Sequence, residues 1–291
     1  TSPADDGYVS IVEGPPDPDH VRPSGCDFAE GATGIEAGTR LMPRHIALAA
    51  SMGHDTLSVH RKPVVAIVAT GDELVEPGTI PGPGQIVASN GYAIASMITK
   101  AGGEARLLGI ARDTLASLQT HLEEAATADV LITIGGASVG DHDLVSKALE
   151  AAGFELDFWK IAMRPGKPLM FAQKPGQRAV GLPGNPVSSI ICTAVFALPL
   201  ISAMSGSVDN KTANQFEASL TAPLEKNGPR QHYMRAELRA ASDGPATVTP
   251  AFSQDSALLT ILSRANALIV RPPHAPALSE GDKVTVLAID F

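Results

Sequence analysis

From Pro63 to Gly206 the sequence alternates between short β-branched runs and segments of helical spacing, and no other feature restricts the fold as much. PVVAIVAT (63–70) and DVLITIG (129–135) are apolar at successive positions. A strand covered on both faces needs this; a strand with one wet face would alternate. SNGYAIASMITKAGG (89–103), TLASLQTHLEEAATA (114–128) and DLVSKALEAAG (143–153) carry helical periodicity. RLLGIA (106–111), FELDFWKIAM (154–163), PLMFAQ (168–173) and RAVGLP (178–183) read as further strands, before a last helix at 186–206. Strand and helix in alternation predict right-handed crossovers and a mainly parallel, doubly wound α/β sheet.

The flanking regions differ. Residues 1–60 are rich in Pro, Gly and Asp. YVSIV (8–12) suggests a strand, DFAEGATGIEAGTRL (27–41) a small β-structure, and PRHIALAASMG (43–53) a short helix stopped by Gly53. This is a β-rich remnant too thin to build its own core. After Gly206, FEASLTAP, HYMRAELRA, ATVTPAF, ALIVRPP and KVTVLAIDF are short strands between Pro/Gly/Asn turns, with one short helix at 255–266. The reading is three parts: 1–60, an α/β domain at 61–206, and a small all-β, barrel-like domain at 207–291.

Composition narrows the partners. A net charge of −9 without a basic stripe argues against nucleic acid. No apolar run reads as a membrane span and no secretory signal opens the chain, so a cytoplasmic protein is expected. Cys26 and Cys192 stand far apart, as reduced thiols would. The eight histidines form no HExxH-type pair. The chain opens at Thr1 without methionine, as a fragment would.

Ligands of open parallel sheets bind outside the carboxyl ends of the strands. Every strand of this sheet is expected to deliver polar or glycine-rich residues to that edge. After the first strand come Thr70, Gly71, Asp72 and Glu73; after the second, Arg112 and Asp113; after the third, GGASVGDHD (135–143). The fourth leads into KIAMRPGKP with Lys160, Arg164 and Lys167, and GLPGNP precedes the last helix. Glycines such as Gly135, Gly136 and Gly140 let backbone N–H groups approach an anion closely. Lysine and arginine offset phosphate charge. Carboxylates beside an anion fit a bridging Mg²⁺, which Asp141 or Asp143 would organise. Singly, each motif also has a structural reading: Asp113 and Asp143 as N-caps, Asp72 and Glu73 as solvated loop carboxylates, RPGKP as a turn, LPGNP as a rigid helix entry. No G-x-x-x-x-G-K-[ST] or dinucleotide fingerprint is present.

TGDEL (70–74), GGASVGDHD (135–143), MRPGKP (163–168) and GLPGNPVS (181–188), in this order, closely resemble the molybdopterin-binding domain of the MoeA/gephyrin family. The likeness extends over about residues 21–291, through VRPSGCDFAEGATGIEAGTRLMPRHIALAASMG (21–53) and SQDSALLTILSRANALIVRPP (253–273). It implies the molybdopterin-binding fold and transfer of molybdenum from molybdate into adenylylated molybdopterin, with release of AMP and assistance from Mg²⁺. It also implies catalytic roles for Glu73, Asp113, Asp143, Lys160 and Arg164, with Glu73, Asp113 and Asp143 holding the metal. Ligand contacts are implied for Thr70, Gly71, Asp72, Gly135, Gly136, Ser138, Gly140, Asp141, Lys167, Pro183, Gly184, Asn185, Pro186 and Ser256, and Arg235 matches a residue contributed by the last domain. Family members are homodimers with a long helical region upstream of Thr1, so the resemblance implies an N-terminally truncated member, its partners the small-molecule substrates, a second copy and other cofactor-synthesis proteins. Two rival readings stay open. One is a molybdopterin adenylyltransferase, which shares the α/β domain but lacks the flanking parts. The other is a non-catalytic pterin-binding scaffold.

Overall fold

The computed structural model describes residues 2–3, 9–10, 21–136, 144–207, 215–240 and 244–289. The chain divides into two units, Thr1–Val59 and His60–Phe291. In the first, β1 (Ser2–Pro3) and β2 (Val9–Ser10) pair antiparallel, and α1 (Pro43–Ser51) begins with proline at its first turn. The β-structure expected at 27–41 does not form: these residues make turns and bends, with Gly31 and Gly38 at positive φ. The glycine spacing there serves chain reversal, not strand pairing.

The second unit begins with β3 (Val64–Thr70), β4 (Leu74–Val75), β5 (Ile86–Val87), α2 (Asn90–Lys100), β6 (Glu104–Ala111), α3 (Leu115–Glu124) and β7 (Val130–Ile134). It continues with α4 (Leu144–Ala151), β8 (Glu155–Trp159), β9 (Met163–Arg164), β10 (Met170–Lys174), β11 (Gln177–Leu182), α5 (Pro186–Cys192) and α6 (Leu198–Met204). The main sheet has strand order β6-β3-β7-β11-β10-β8. The pairings β6–β3, β3–β7 and β7–β11 are parallel, whereas β10 is antiparallel to both its neighbours. The expectation that every strand delivers its carboxyl end to one edge therefore fails for β10, whose Lys174 end lies opposite. A tight turn at Gly176 (φ +82) joins β10 to β11, and so short a connection permits only antiparallel pairing.

Burial follows the sequence pattern. All five residues of β7 are buried, as are Val65, Ala66, Ile67 and Val68 of β3. Each Val, Leu or Ile sequestered in this way contributes about 1.5–3 kcal/mol relative to exposure. Helices cover both sides. Ile94, Met97 and Ile98 of α2 pack with Val187, Ile190 and Ile191 of α5 in one cluster, and Leu118 of α3 packs with Val145 and Leu149 of α4 in another.

The sequence reading finds no run able to span a membrane. In the structure, α5, a π-helical turn (Thr193–Ala197) and α6 form one continuous helix, Pro186–Met204, of 19 residues and mean hydropathy 2.1. By length and composition it could cross a membrane, but half of it is buried against the sheet, as in the core helix of a globular domain. Ser189 and Thr193 interrupt the apolar run without harm, because their hydroxyls donate to the Pro186 and Ser189 carbonyls at 3.0 and 2.8 Å.

The C-terminal part consists of β12 (Gln215–Leu220), β13 (Gln231–Arg239), β14 (Thr247–Pro250), α7 (Leu259–Leu262), β15 (Ala267–Arg271) and β16 (Lys283–Ala288). The pairings β12–β16, β16–β15, β15–β13, β13–β14 and β14–β12 close a five-stranded barrel. Alternate residues point inward, giving a core that includes Leu220, Val248, Ile269 and Val286. One expected strand is redistributed. FELDFWKIAM splits after Trp159, and Met163–Arg164 forms β9, which pairs in parallel with β13 at the barrel wall.

Candidate active site

Strand order reverses between β3 and β7, because the chain leaves β3 for β6 on one side and returns to β7 on the other. A cleft of about 570 Å³ opens at that point. Its floor is Thr70, Gly71, Gly135 and Gly136; one side carries Glu73 and Asp113, and the other Pro183, Gly184, Asn185 and Pro186.

The glycines of the floor are required by sterics. Gly135 and Gly136 adopt φ of +91° and +67°. A Cβ on Gly135 would lie 2.7 Å from the Thr70 carbonyl oxygen, and one on Gly136 would lie 2.5 Å from Val145 Cγ2. The Gly135 N–H is held by the Leu182 carbonyl at 3.0 Å, which ties the end of β7 to the end of β11. Beneath this crossing the Thr70 hydroxyl is buried, with no hydrogen-bond partner among the described residues.

The acidic side has an electrostatic signature. Burial in the cleft pushes the Asp113 carboxyl above its ordinary value, and the nearby charges of Asp72 and Glu73 push the same way; a hydrogen bond from the Asp72 backbone opposes them. The Asp113 N–H in turn donates to Asp72 Oδ1 at 3.2 Å. Asp113 is not the N-cap of α3. Thr114 caps it, its Oγ1 accepting from the Ser117 N–H at 3.2 Å, so the Asp113 carboxylate is left to face the cleft.

The opposite wall is braced from two directions. Asn90 Nδ2 donates to the Gly184 carbonyl at 2.8 Å, and Asn185 Nδ2 donates to Ser256 Oγ at 2.9 Å. The Val187 N–H donates to the Ser256 carbonyl at 3.1 Å, so Ser256 joins the wall from the barrel side. Asn90, Ser89, Leu74 of β4, and Ile86 and Val87 of β5 also line the cleft, and sequence reasoning missed them. The Ser-Asn pair opening α2 was the available signal.

The expected cations lie elsewhere. None of Lys160, Arg164 and Lys167 lines the cleft, although Pro168 does. Lys160, at φ +71°, places its ammonium 3.9 Å from the centre of the Trp159 ring. Arg164 faces His232 across the β9–β13 pair. Arg235 is buried, its guanidinium donating to the Leu258 and Ser253 carbonyls at 3.2 Å each, which fixes the loop before α7. Ser138, Gly140, Asp141 and Asp143 lie outside the described residues. Among the described residues no three His, Cys, Asp or Glu side chains gather closely enough to hold a metal.

A glycine-floored cleft at the switch point of an α/β sheet, walled by a loop pinned to a five-stranded barrel, defines the class. Residues 66–203 match the family model described as "Probable molybdopterin binding domain", and residues 217–289 match "MoeA C-terminal region (domain IV)". The Haemophilus influenzae protein named molybdopterin molybdenumtransferase is 32% identical over 97% of this chain and 70% of its own length. Its Bacillus subtilis namesake is 34% identical over 93% of this chain and 63% of its own. A crystal structure of a molybdopterin biosynthesis MoeA protein from Pyrococcus horikoshii superposes with a TM-score of 0.78 at 30% identity, over 92% of this chain and 64% of that one. The chain belongs to the molybdopterin molybdenumtransferase family, and it spans about two thirds of the length of these relatives.

Proposed function

We propose that this chain works in molybdenum cofactor biosynthesis, inserting molybdenum from molybdate into adenylylated molybdopterin with release of AMP, as a homodimer. The observation that carries this reading is the shared cleft: two carboxylates, Glu73 and Asp113, face a floor of positive-φ glycines at the sheet's switch point. The floor suits an anionic ligand, since Gly71, Gly135 and Gly136 add no side chain at these strand ends. Pro183 and Pro186 keep the opposite wall rigid.

Glu73 and Asp113 are hard oxygen donors of the kind Mg²⁺ takes. Asp113 is destabilised as an anion first by burial and then by the charges of Asp72 and Glu73, and a hard divalent cation would offset both. Glu73 and Asp113, with Asp143, would hold it; once bound, it supplies charge neutralisation at the phosphoanhydride. The residues' own work is to orient the phosphate against the glycine floor and to keep the pterin side against the Pro183–Pro186 wall. Lys160 and Lys167 would approach from the segment that leads to Pro168.

The test is to incubate the chain with adenylylated molybdopterin, molybdate and Mg²⁺ and to measure AMP and active cofactor. Release of both supports the reading. Tight pterin binding without AMP release would instead select the scaffold, and AMP transfer from ATP the adenylyltransferase.

A further inference from the structure

The barrel carries a second polar cluster that the cleft does not use. β9, β13 and β15 lie side by side, and their registers align Arg164 with His232 and His232 with Arg271. Directly opposed residues on adjacent strands project to the same face with Cβ atoms about 5 Å apart, so the three side chains form one row. Arg230, just before β13, joins them: its charge, with those of Arg164, Arg235 and Arg271, acts on the His232 imidazole.

Two features make this row unlike a solvated basic surface. First, Arg271 is only 3% exposed, and its Nε and Nη1 are buried without any hydrogen-bond partner among the described residues. Only Nη2 is engaged, donating to the carbonyls of Glu225, Ala275 and Pro276. A buried guanidinium with open N–H groups is unfavourable unless a counter-charge meets it. Among the described residues none of Arg164, Arg230 and Arg271 forms a salt bridge. Second, the site is held in shape. Asn227 Nδ2 donates to the carbonyls of Arg230, Arg271 and Pro272 at 2.9, 3.1 and 2.7 Å, locking the chain that carries both arginines. The imidazole is kept neutral by burial and by the surrounding arginines, so it adds a hydrogen-bonding group without a further positive charge.

We propose that Arg271, Arg230 and Arg164, arranged around His232 at this end of the barrel, form a binding site for a tetrahedral oxyanion of the phosphate class. The site shares none of the residues that line the cleft, and Arg230, His232 and Arg271 lie outside the set to which the family resemblance gives a role, Arg164 alone belonging to both. Arg164 and Arg230, which are not buried, provide the entry side, and Arg271 the closed end.

Titrating the chain with inorganic phosphate at constant ionic strength, against a chloride control, tests this. Saturable one-to-one binding is expected, with affinity reduced at least tenfold in Arg271→Met and severalfold in Arg230→Gln. Because Arg271→Met alters a buried position, Arg230→Gln is the control variant that must still fold. Phosphate should also raise the pH at which the His232 ring titrates by NMR, with the resonance assigned through His232→Gln. The proposal is overturned by absence of saturable binding at about 10 mM phosphate, by unchanged affinity in both variants, or by a His232 titration indifferent to phosphate.

Discussion

The cleft and the barrel end handle charge in opposite ways. The cleft concentrates carboxylates beside backbone stripped of side chains, and Glu73 and Asp113 are solvent-accessible there. The barrel end concentrates arginines around a largely buried histidine, with Arg271 fully enclosed. Charge kept near water costs the fold little and can be held ready for a ligand. Charge enclosed by packing becomes part of the stability of the fold. Substitutions in the cleft should therefore change chemistry with little effect on stability, and changes at the barrel end should do the reverse.

The largest expected effect lies in the cleft. Asp113→Asn should slow cofactor formation roughly 10²–10³ fold, with a thermal midpoint within a degree or two of wild type; a wild-type rate would remove Asp113 from the chemistry. Asp143→Asn is expected to behave alike.

Next comes Gly136→Val, the one cleft change expected to damage the fold. It forces a β-branched residue into φ +67° and against Val145 Cγ2, at a combined cost of roughly 2–5 kcal/mol. Urea denaturation checks it, and near-wild-type stability would mean that the crossing of β7 and α4 yields easily.

At the barrel end, the His232 imidazole is lowered to about 4 by burial and by Arg164, Arg230, Arg235 and Arg271. The folded state therefore binds fewer protons than the unfolded state between about 6.5 and 4. Stability should be flat above about 6.5 and fall as pH drops toward 4, by on the order of 3 kcal/mol. His232→Gln should lose markedly less over that window, and an unchanged pH profile in the variant would contradict the account.

The smallest effect tests the link between the two regions. Asn185→Ala removes the bond to Ser256 and should cost about 0.5–1.5 kcal/mol. If it weakens ligand binding in the cleft more than it weakens the fold, the barrel's role in shaping the wall is established.

Much of the fold was legible because strands and helices announce themselves locally. VLITI is apolar throughout since both its faces are covered, and Ile94, Met97 and Ile98 recur at helical spacing because one face of α2 packs inward. The site was legible where glycine is sterically obligatory, as at Gly135 and Gly136, or where a strand end had to face the switch point. It was not legible at 163–164. Nothing local distinguishes a strand that ends in the α/β sheet from one that crosses to pair with β13. The capping of α3 shows a finer limit: Asp113 and Thr114 are both good caps, and only the backbone path decided that Thr114 would take the role.

The sequence by itself determined most strands and helices of the α/β sheet and the barrel, and where backbone without side chains must occur, because those follow from side-chain periodicity and excluded volume over a few residues. Tertiary structure alone decided which charges meet. Arg164, His232 and Arg271 share a row only through pairing between strands far apart in the chain. Strand register is a long-range property, set by the packing of the whole barrel.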